Sequence, residues 1–256
     1  MILFISNVDT EILALRTAVE ALPHGFGPVR AAQPWTVDGV PDLTGVRCVL
    51  VRLLRGRRAW LDGFDALRAQ CAAQHVPFLA FSGEAVPDAE LTSLSTAPSG
   101  IVTEAFRYLV NGGPANFENL LRFVADTVLR EGFGFDPPTE IPAHGVWREP
   151  PRRDPDRPLV AVVFYRAHLV AGNTQFVADL CATLEASGAD AIAWWCYSLR
   201  DEAAADALVA LVREHGVDVV VTTVLAAGGI TAGAGTAGRP GGVDGDTWDI
   251  LSLIHI

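Results

Sequence analysis

Lysine is missing altogether: all 19 basic side chains among the 256 residues are arginine. A Walker A phosphate loop needs a lysine to reach the outer phosphates, so that nucleotide site is excluded. Schiff-base catalysis through a lysine amine is excluded with it. If ATP drives the chemistry, another polypeptide hydrolyses it. Cysteine is scarce, and Cys48, Cys71, Cys181 and Cys196 form no C-x-x-C pair. Each lies in an apolar stretch, the pattern of buried free thiols in a reducing compartment, and no metal site is expected from them. Basic charge is outnumbered: 30 acidic residues bring the net charge to −11, which disfavours binding to nucleic-acid backbones. The short arginine clusters, Arg55, Arg57 and Arg58 and then Arg152, Arg153 and Arg157, read as solvated turn or linker charges. No apolar run approaches the roughly 18 residues of a membrane span. The opening MILFISNVDT lacks the basic start and long apolar stretch of a secretory signal, so a cytoplasmic location is expected.

What is present is the composition of a globular protein, half hydrophobic and 19% charged. Apolar runs alternate with helical periodicity. Ile2–Ser6 suits a buried strand, and Asp9 is placed to cap a helix over Thr10–Leu22, where Ile12, Leu15, Val19 and Leu22 recur at helical spacing. Arg47–Leu54 reads as a central strand, Ala59–Gln74 as an amphipathic helix and Val76–Ser82 as a further strand. Asp88 can cap a short helix; helices over Thr103–Asn111 and Pro114–Arg130 follow, the second with proline in its first turn. Residues 136–158 hold seven of the 16 prolines. Proline removes amide donors and disfavours helix before it, so this stretch is expected to be an extended linker.

The alternation then restarts. Leu159–Phe164, Ala189–Cys196 and Val217–Val224 read as strands, with helices over Thr174–Ala186 and Glu202–His215 between them. The fold class is α/β: two consecutive Rossmann/flavodoxin-like parallel-sheet units, the second incomplete. The expected organisation is a head domain over 1–135, the linker over 136–158 and the start of a second domain over 159–249. The glycine-rich stretch Ala226–Asp246 is expected to be a mobile loop. Its GAGTAG, Gly233–Gly238, matches G-x-G-x-x-G but neither follows a strand directly nor opens a helix, so it is not read as a dinucleotide site. Residues 250–256, ending in LSLIHI, are expected to be a non-native tail.

The densest chemistry lies in FYRAHLVAGNTQFV, Phe164–Val177, where a strand ends and a helix begins. Ligands of open α/β sheets sit at such carboxyl ends. Arg166 can clamp a carboxylate, His168 can take a proton or bind a metal, and Asn173 or Thr174 can cap the helix. The plainer alternative is a cap, an ion pair and a satisfied loop histidine. Weaker candidates are Arg52 and Arg55, at the end of a strand where an anion can dock or an acidic neighbour can pair, and Glu84 in the Ser82-Gly83-Glu84 turn. Trp194 and Trp195 read as core. No nucleophile triad or zinc-protease helix stands out.

The segment YRAHLVAGNTQFVADLCATLEASGADAIAWWCYSLR, Tyr165–Arg200, resembles a stretch of the CobN family of cobaltochelatase large subunits and of its relative, the magnesium-chelatase H subunit. VRLLRGRRAWLDGFDAL, FSGEAVPDAELTSLST, YLVNGGPANFENLLRFV and VTTVLAAGGI resemble further pieces of that family in the same order. The resemblance implies an N-terminal fragment of a much longer subunit that binds a tetrapyrrole and a metal. It also implies AAA+ ATPase partners that carry ATP and Mg²⁺, and Co²⁺ as the substrate metal. The implied reaction is cobalt insertion into hydrogenobyrinic acid a,c-diamide, on the route to vitamin B12. Most catalytic groups are expected downstream, so the fragment alone is expected to be inactive. Arg166, His168 and Asn173 are the residues expected to touch or close over the macrocycle. The alternatives are a magnesium-chelatase H subunit, acting on protoporphyrin IX, and a non-catalytic α/β module binding a small ligand or partner.

Overall fold

A computed structural model describes residues 1–36 and 39–224. The Gly233–Gly238 motif, the glycine-rich loop and the tail lie outside the described residues. The chain divides into two compact units. The first comprises Met1–Ile141 together with Val170–Gly172, the second Pro142–Leu169 and the residues from Asn173 onward.

In the first unit β1 (Ile2–Ser6), β2 (Val29–Ala32), β3 (Cys48–Leu53) and β4 (Phe78–Ser82) form a parallel sheet in the order β2-β1-β3-β4. β1, β3 and β4 are buried at every position. A parallel strand covered on both faces has to be apolar throughout, which is why these runs do not alternate with polar residues. Helices α1 (Asp9–Ala21), α4 (Ser99–Asn111) and α5 (Pro114–Thr127) share one core with Phe4, Leu50 and Phe81. On the other face α2 (Leu61–Ala73) buries Phe64 and Leu67 against Leu3, Val49 and Val51. The short α3 (Ala89–Leu94) is capped by Asp88, whose carboxylate accepts from the Leu91 amide at 3.0 Å. Asp9 does not cap α1: it is the first helical residue and Val8 stands at the cap without a side-chain bond. β2 escapes the sequence reading because it is four residues long, with Pro28 just before it and Pro34 just after.

The stretch expected as a linker is divided between the units. Residues 132–141 are tied to helices of the first unit by side-chain bonds. Asp126 accepts from the amides of Gly132, Phe133 and Gly134, each at 2.7 Å. Asn119 accepts from the Asp136 amide, and Asn116 both accepts from and donates to the backbone of Thr139. Asn116, Asn119 and Asp126 recur at spacings that keep them on one side of α5. Amides that proline-rich chain cannot pair within a helix are thereby paired with a helix surface.

In the second unit β5 (His144–Arg148), β6 (Leu159–Tyr165), β7 (Asp190–Cys196) and β8 (Val219–Thr222) lie in the order β5-β7-β6-β8. β6, β7 and β8 are parallel and β5 is antiparallel to β7. Helix α7 (Gln175–Ala186) contributes Val177 and Cys181 to the interior, and α8 (Glu202–His215) packs Ala204, Leu208 and Leu211 on Ile192 and Trp194. Trp194 and Trp195 are buried, as expected of core. Arg153 and Arg157 are not simply solvated: both face the buried carboxylate of Asp190 at the start of β7. Arg157 also donates to the carbonyls of Glu185 and Ala189, at 2.5 and 2.6 Å.

Candidate functional site

β6 runs directly into a short helix, α6 (Arg166–Val170), at the carboxyl end of its strand. Gly172, at φ 69°, ends that helix, and the Asn173 amide returns to the His168 carbonyl at 2.9 Å. This six-to-one bond behind a left-handed glycine is the Schellman closure, and it needs a residue without Cβ strain at Gly172. The closure swings Asn173 back over His168, with Nδ2 of the amide 3.4 Å from Nδ1 of the ring. Phe176 meets the same imidazole edge-on, with centroids 4.9 Å apart and planes at 73°. Burial lowers the His168 pKa below its ordinary value, because it disfavours the charged imidazolium. Nε2 has no hydrogen-bond partner among the described residues.

Arg166 opens α6 in the same turn. It is 6% exposed, and its Nε donates to the Pro142 carbonyl at 2.9 Å. Burial lowers the Arg166 pKa against the pull of Tyr197. Neither Asn173 nor Thr174 caps α7. Thr174 stands at the cap position at φ −109°, ψ 0° without a side-chain bond, outside the extended geometry that aims a capping oxygen at the helix amides. His168 and Asn173 are therefore brought together, while Arg166 serves the turn beneath them.

The weaker candidates fall in the other unit, at the carboxyl edge of its sheet. Arg52 ends in an ion pair, its Nε 3.0 Å from Oε1 of Glu11. Oε2 of Glu11 accepts from the Ser6 hydroxyl at 2.7 Å. Burial raises the Glu11 pKa, outweighing the opposing pull of Arg52 and the Ser6 bond. Arg52 Nη2 donates to the Gly83 carbonyl at 3.4 Å. Arg55 is exposed and sits in the left-handed region at φ 69°. Glu84 is exposed, with its amide donating to Ser82 Oγ at 3.1 Å. The sequence reading missed Glu11 and Asn7. Asn7 grips the β3 loop, accepting from the Leu54 amide at 2.8 Å and donating to its carbonyl at 3.1 Å. The only hint was a polar pair, Ser6-Asn7, closing an apolar strand.

Other chemistry is limited. All four cysteines are free and buried. Burial pushes Cys48 and Cys196 up to about 12 and Cys71 to about 11, so they are thiols and poor nucleophiles. Among the described residues no group of three or more His, Cys, Asp or Glu side chains is arranged to hold a metal ion. No helix of the described residues is long and apolar enough to cross a membrane.

Known proteins resemble this chain over most of its length. A model of the CobN/Magnesium Chelatase family matches residues 106–241. The aerobic cobaltochelatase subunit CobN of Pseudomonas aeruginosa is 28% identical over 213 residues, covering 76% of this chain and 17% of that protein. The subunit of the same name from Sinorhizobium sp is 26% identical over 246 residues, covering 86% of this chain and 19% of that protein. The solved catalytic subunit of cobaltochelatase from Mycobacterium tuberculosis superposes with a TM-score of 0.59 at 36% identity. That match covers 90% of this chain and 18% of the solved one. The chain thus spans less than a fifth of the length of the relatives it matches.

Proposed function

Since the chain belongs to the CobN/magnesium chelatase family, we propose that it is the N-terminal part of the large subunit of an ATP-dependent cobaltochelatase. The substrates are Co²⁺ and hydrogenobyrinic acid a,c-diamide, in cobalamin biosynthesis. Partner AAA+ ATPase subunits hold ATP and Mg²⁺, and the complex works in the cytoplasm. The observation that carries this reading is the 36% identity to a solved cobaltochelatase catalytic subunit across 90% of the chain.

Metal insertion requires that the macrocycle lose its inner N–H protons and that the metal ion shed water. The residues that accomplish both belong chiefly to parts of the subunit beyond this chain. Here the carboxyl edge of the second unit contributes a contact to the tetrapyrrole. His168, its pKa lowered by burial and its Nε2 without a hydrogen-bond partner among the described residues, hydrogen-bonds a peripheral group or relays a proton. Asn173 holds the ring in place, and Arg166 holds the turn from which both project.

Absorbance titration of the intact subunit with the corrin diamide and with protoporphyrin IX tests the assignment. Tighter binding of the corrin is expected, with His168→Ala weakening it by roughly tenfold, the loss of one well-placed hydrogen bond to a charged group. Preference for protoporphyrin IX would assign the chain to the magnesium branch instead. Unchanged corrin affinity in His168→Ala would remove this edge from the binding site.

A further inference from the structure

Arg52 raises a separate question, because it is 3% exposed and yet incompletely bonded. Neither its Nη1 nor its Nε has a hydrogen-bond partner among the described residues, although Nε stands 3.0 Å from Oε1 of Glu11 as an ion pair. An unsatisfied buried donor costs free energy, and native structures usually offset it with a water, an ion or a ligand. The guanidinium lies where a ligand is expected. α1, which follows β1, and α2, which follows β3, pack on opposite faces of the sheet. The strand order β2-β1-β3-β4 therefore has its topological switch point between β1 and β3, the place where open α/β sheets bind ligands at their carboxyl ends. Ser6 ends β1, Arg52 is the penultimate residue of β3, and Nη2 of Arg52 reaches Gly83, the first residue past β4. The tip of the guanidinium is thus at the carboxyl edge.

Two features fit an anion there. Both oxygens of Glu11 already face other groups, one Arg52 Nε and the other the Ser6 hydroxyl. Three residues on, Arg55 is exposed, has no ion partner among the described residues, and is held in a left-handed conformation that costs a non-glycine residue free energy. The neighbouring Arg57, by contrast, is paired with Asp65 and Glu90.

We propose that the carboxyl edge of the first unit's sheet is a second ligand site, taking a small carboxylate- or phosphate-bearing anion. Arg52 is its buried anchor and Arg55 its outer cation. The site is separate from the His168 edge and does not depend on the assignment of that edge to a tetrapyrrole.

Thermal unfolding of the 256-residue chain in potassium chloride, acetate and phosphate, at one pH and one ionic strength, tests this. A saturable rise in Tm of roughly 2–4 °C over chloride is expected in acetate or phosphate, and the salt that gives it names the anion. Arg52→Lys keeps the charge facing Glu11 but loses the planar fork, and is expected to lose the rise. If that variant does not fold, Arg55→Asn decides: asparagine tolerates the left-handed conformation, and the rise is expected to fall by half or more. Equal Tm values for the wild-type chain in all three salts would overturn the proposal, leaving water as the guest of Nη1. An undiminished rise in a folded Arg52→Lys or Arg55→Asn protein would overturn it equally.

Discussion

Gly83 has no space for a side chain. A Cβ there would sit 2.3 Å from the Leu54 amide nitrogen and 2.6 Å from Leu54 Cα. Those atoms cannot shift cheaply, because Asn7 holds Leu54 through both its amide and its carbonyl. Gly83→Ala is therefore expected to destabilise the chain by about 2–3 kcal/mol, as overpacking against fixed backbone does, measured by urea unfolding. At this scale the sequence was informative about residue type and uninformative about partners. Arg52, Arg55 and Glu84 were recognisable as polar groups at strand ends. That Arg52 pairs with Glu11, 41 positions earlier in the sequence, follows from α1 folding back over β3, which no local pattern records. His168 and Asn173 were legible because one glycine, Gly172, brings them together across five residues. Arg166 is buried although arginine is usually exposed, a consequence of packing that no local pattern records.

Among the elements, the long apolar strands and amphipathic helices were legible, while the short and proline-bounded ones were not. β2 and β5 carry no unbroken apolar run, and proline-rich sequence conceals structure built from side-chain-to-backbone bonds. The turn before β6 shows what holds such a segment. Asp190 accepts from the Asp154 amide at 2.7 Å and from Arg153 at 3.2 Å, with Arg157 close by. The Asp154 amide first, then Arg153 and Arg157, hold the Asp190 carboxyl below its ordinary value. A carboxyl whose folded-state pKa lies below the unfolded one adds stability above the unfolded value, about pH 4, and loses it as pH falls through the folded value. Wild-type protein is thus expected to be more resistant to urea than Asp190→Asn from pH 7 down to about 4.5. The gap should close on further acidification. A gap that stayed constant down to pH 2.5 would assign the effect to something other than this charge.

At the scale of the whole molecule, two α/β units each carry polar groups at the carboxyl ends of their parallel strands. The fold class was readable from the alternation of apolar runs and helices, because that alternation is what a buried parallel sheet demands. The family was readable only through resemblance: no triad, metal cluster or phosphate loop in the sequence names a reaction. The central claim is that this chain serves cobalt insertion into a corrin. The most direct test is an assay of the intact subunit with its AAA+ ATPase partners, ATP, Co²⁺ and hydrogenobyrinic acid a,c-diamide, followed by the absorbance of the cobalt corrin. The account predicts ATP-dependent product with the wild-type subunit, slowed roughly tenfold or more in the His168→Ala, Asn173→Ala double variant, within the range for loss of one positioned acid–base or hydrogen-bonding group. No cobalt corrin from the wild-type complex, with Mg²⁺ inserted into protoporphyrin IX instead, would contradict it.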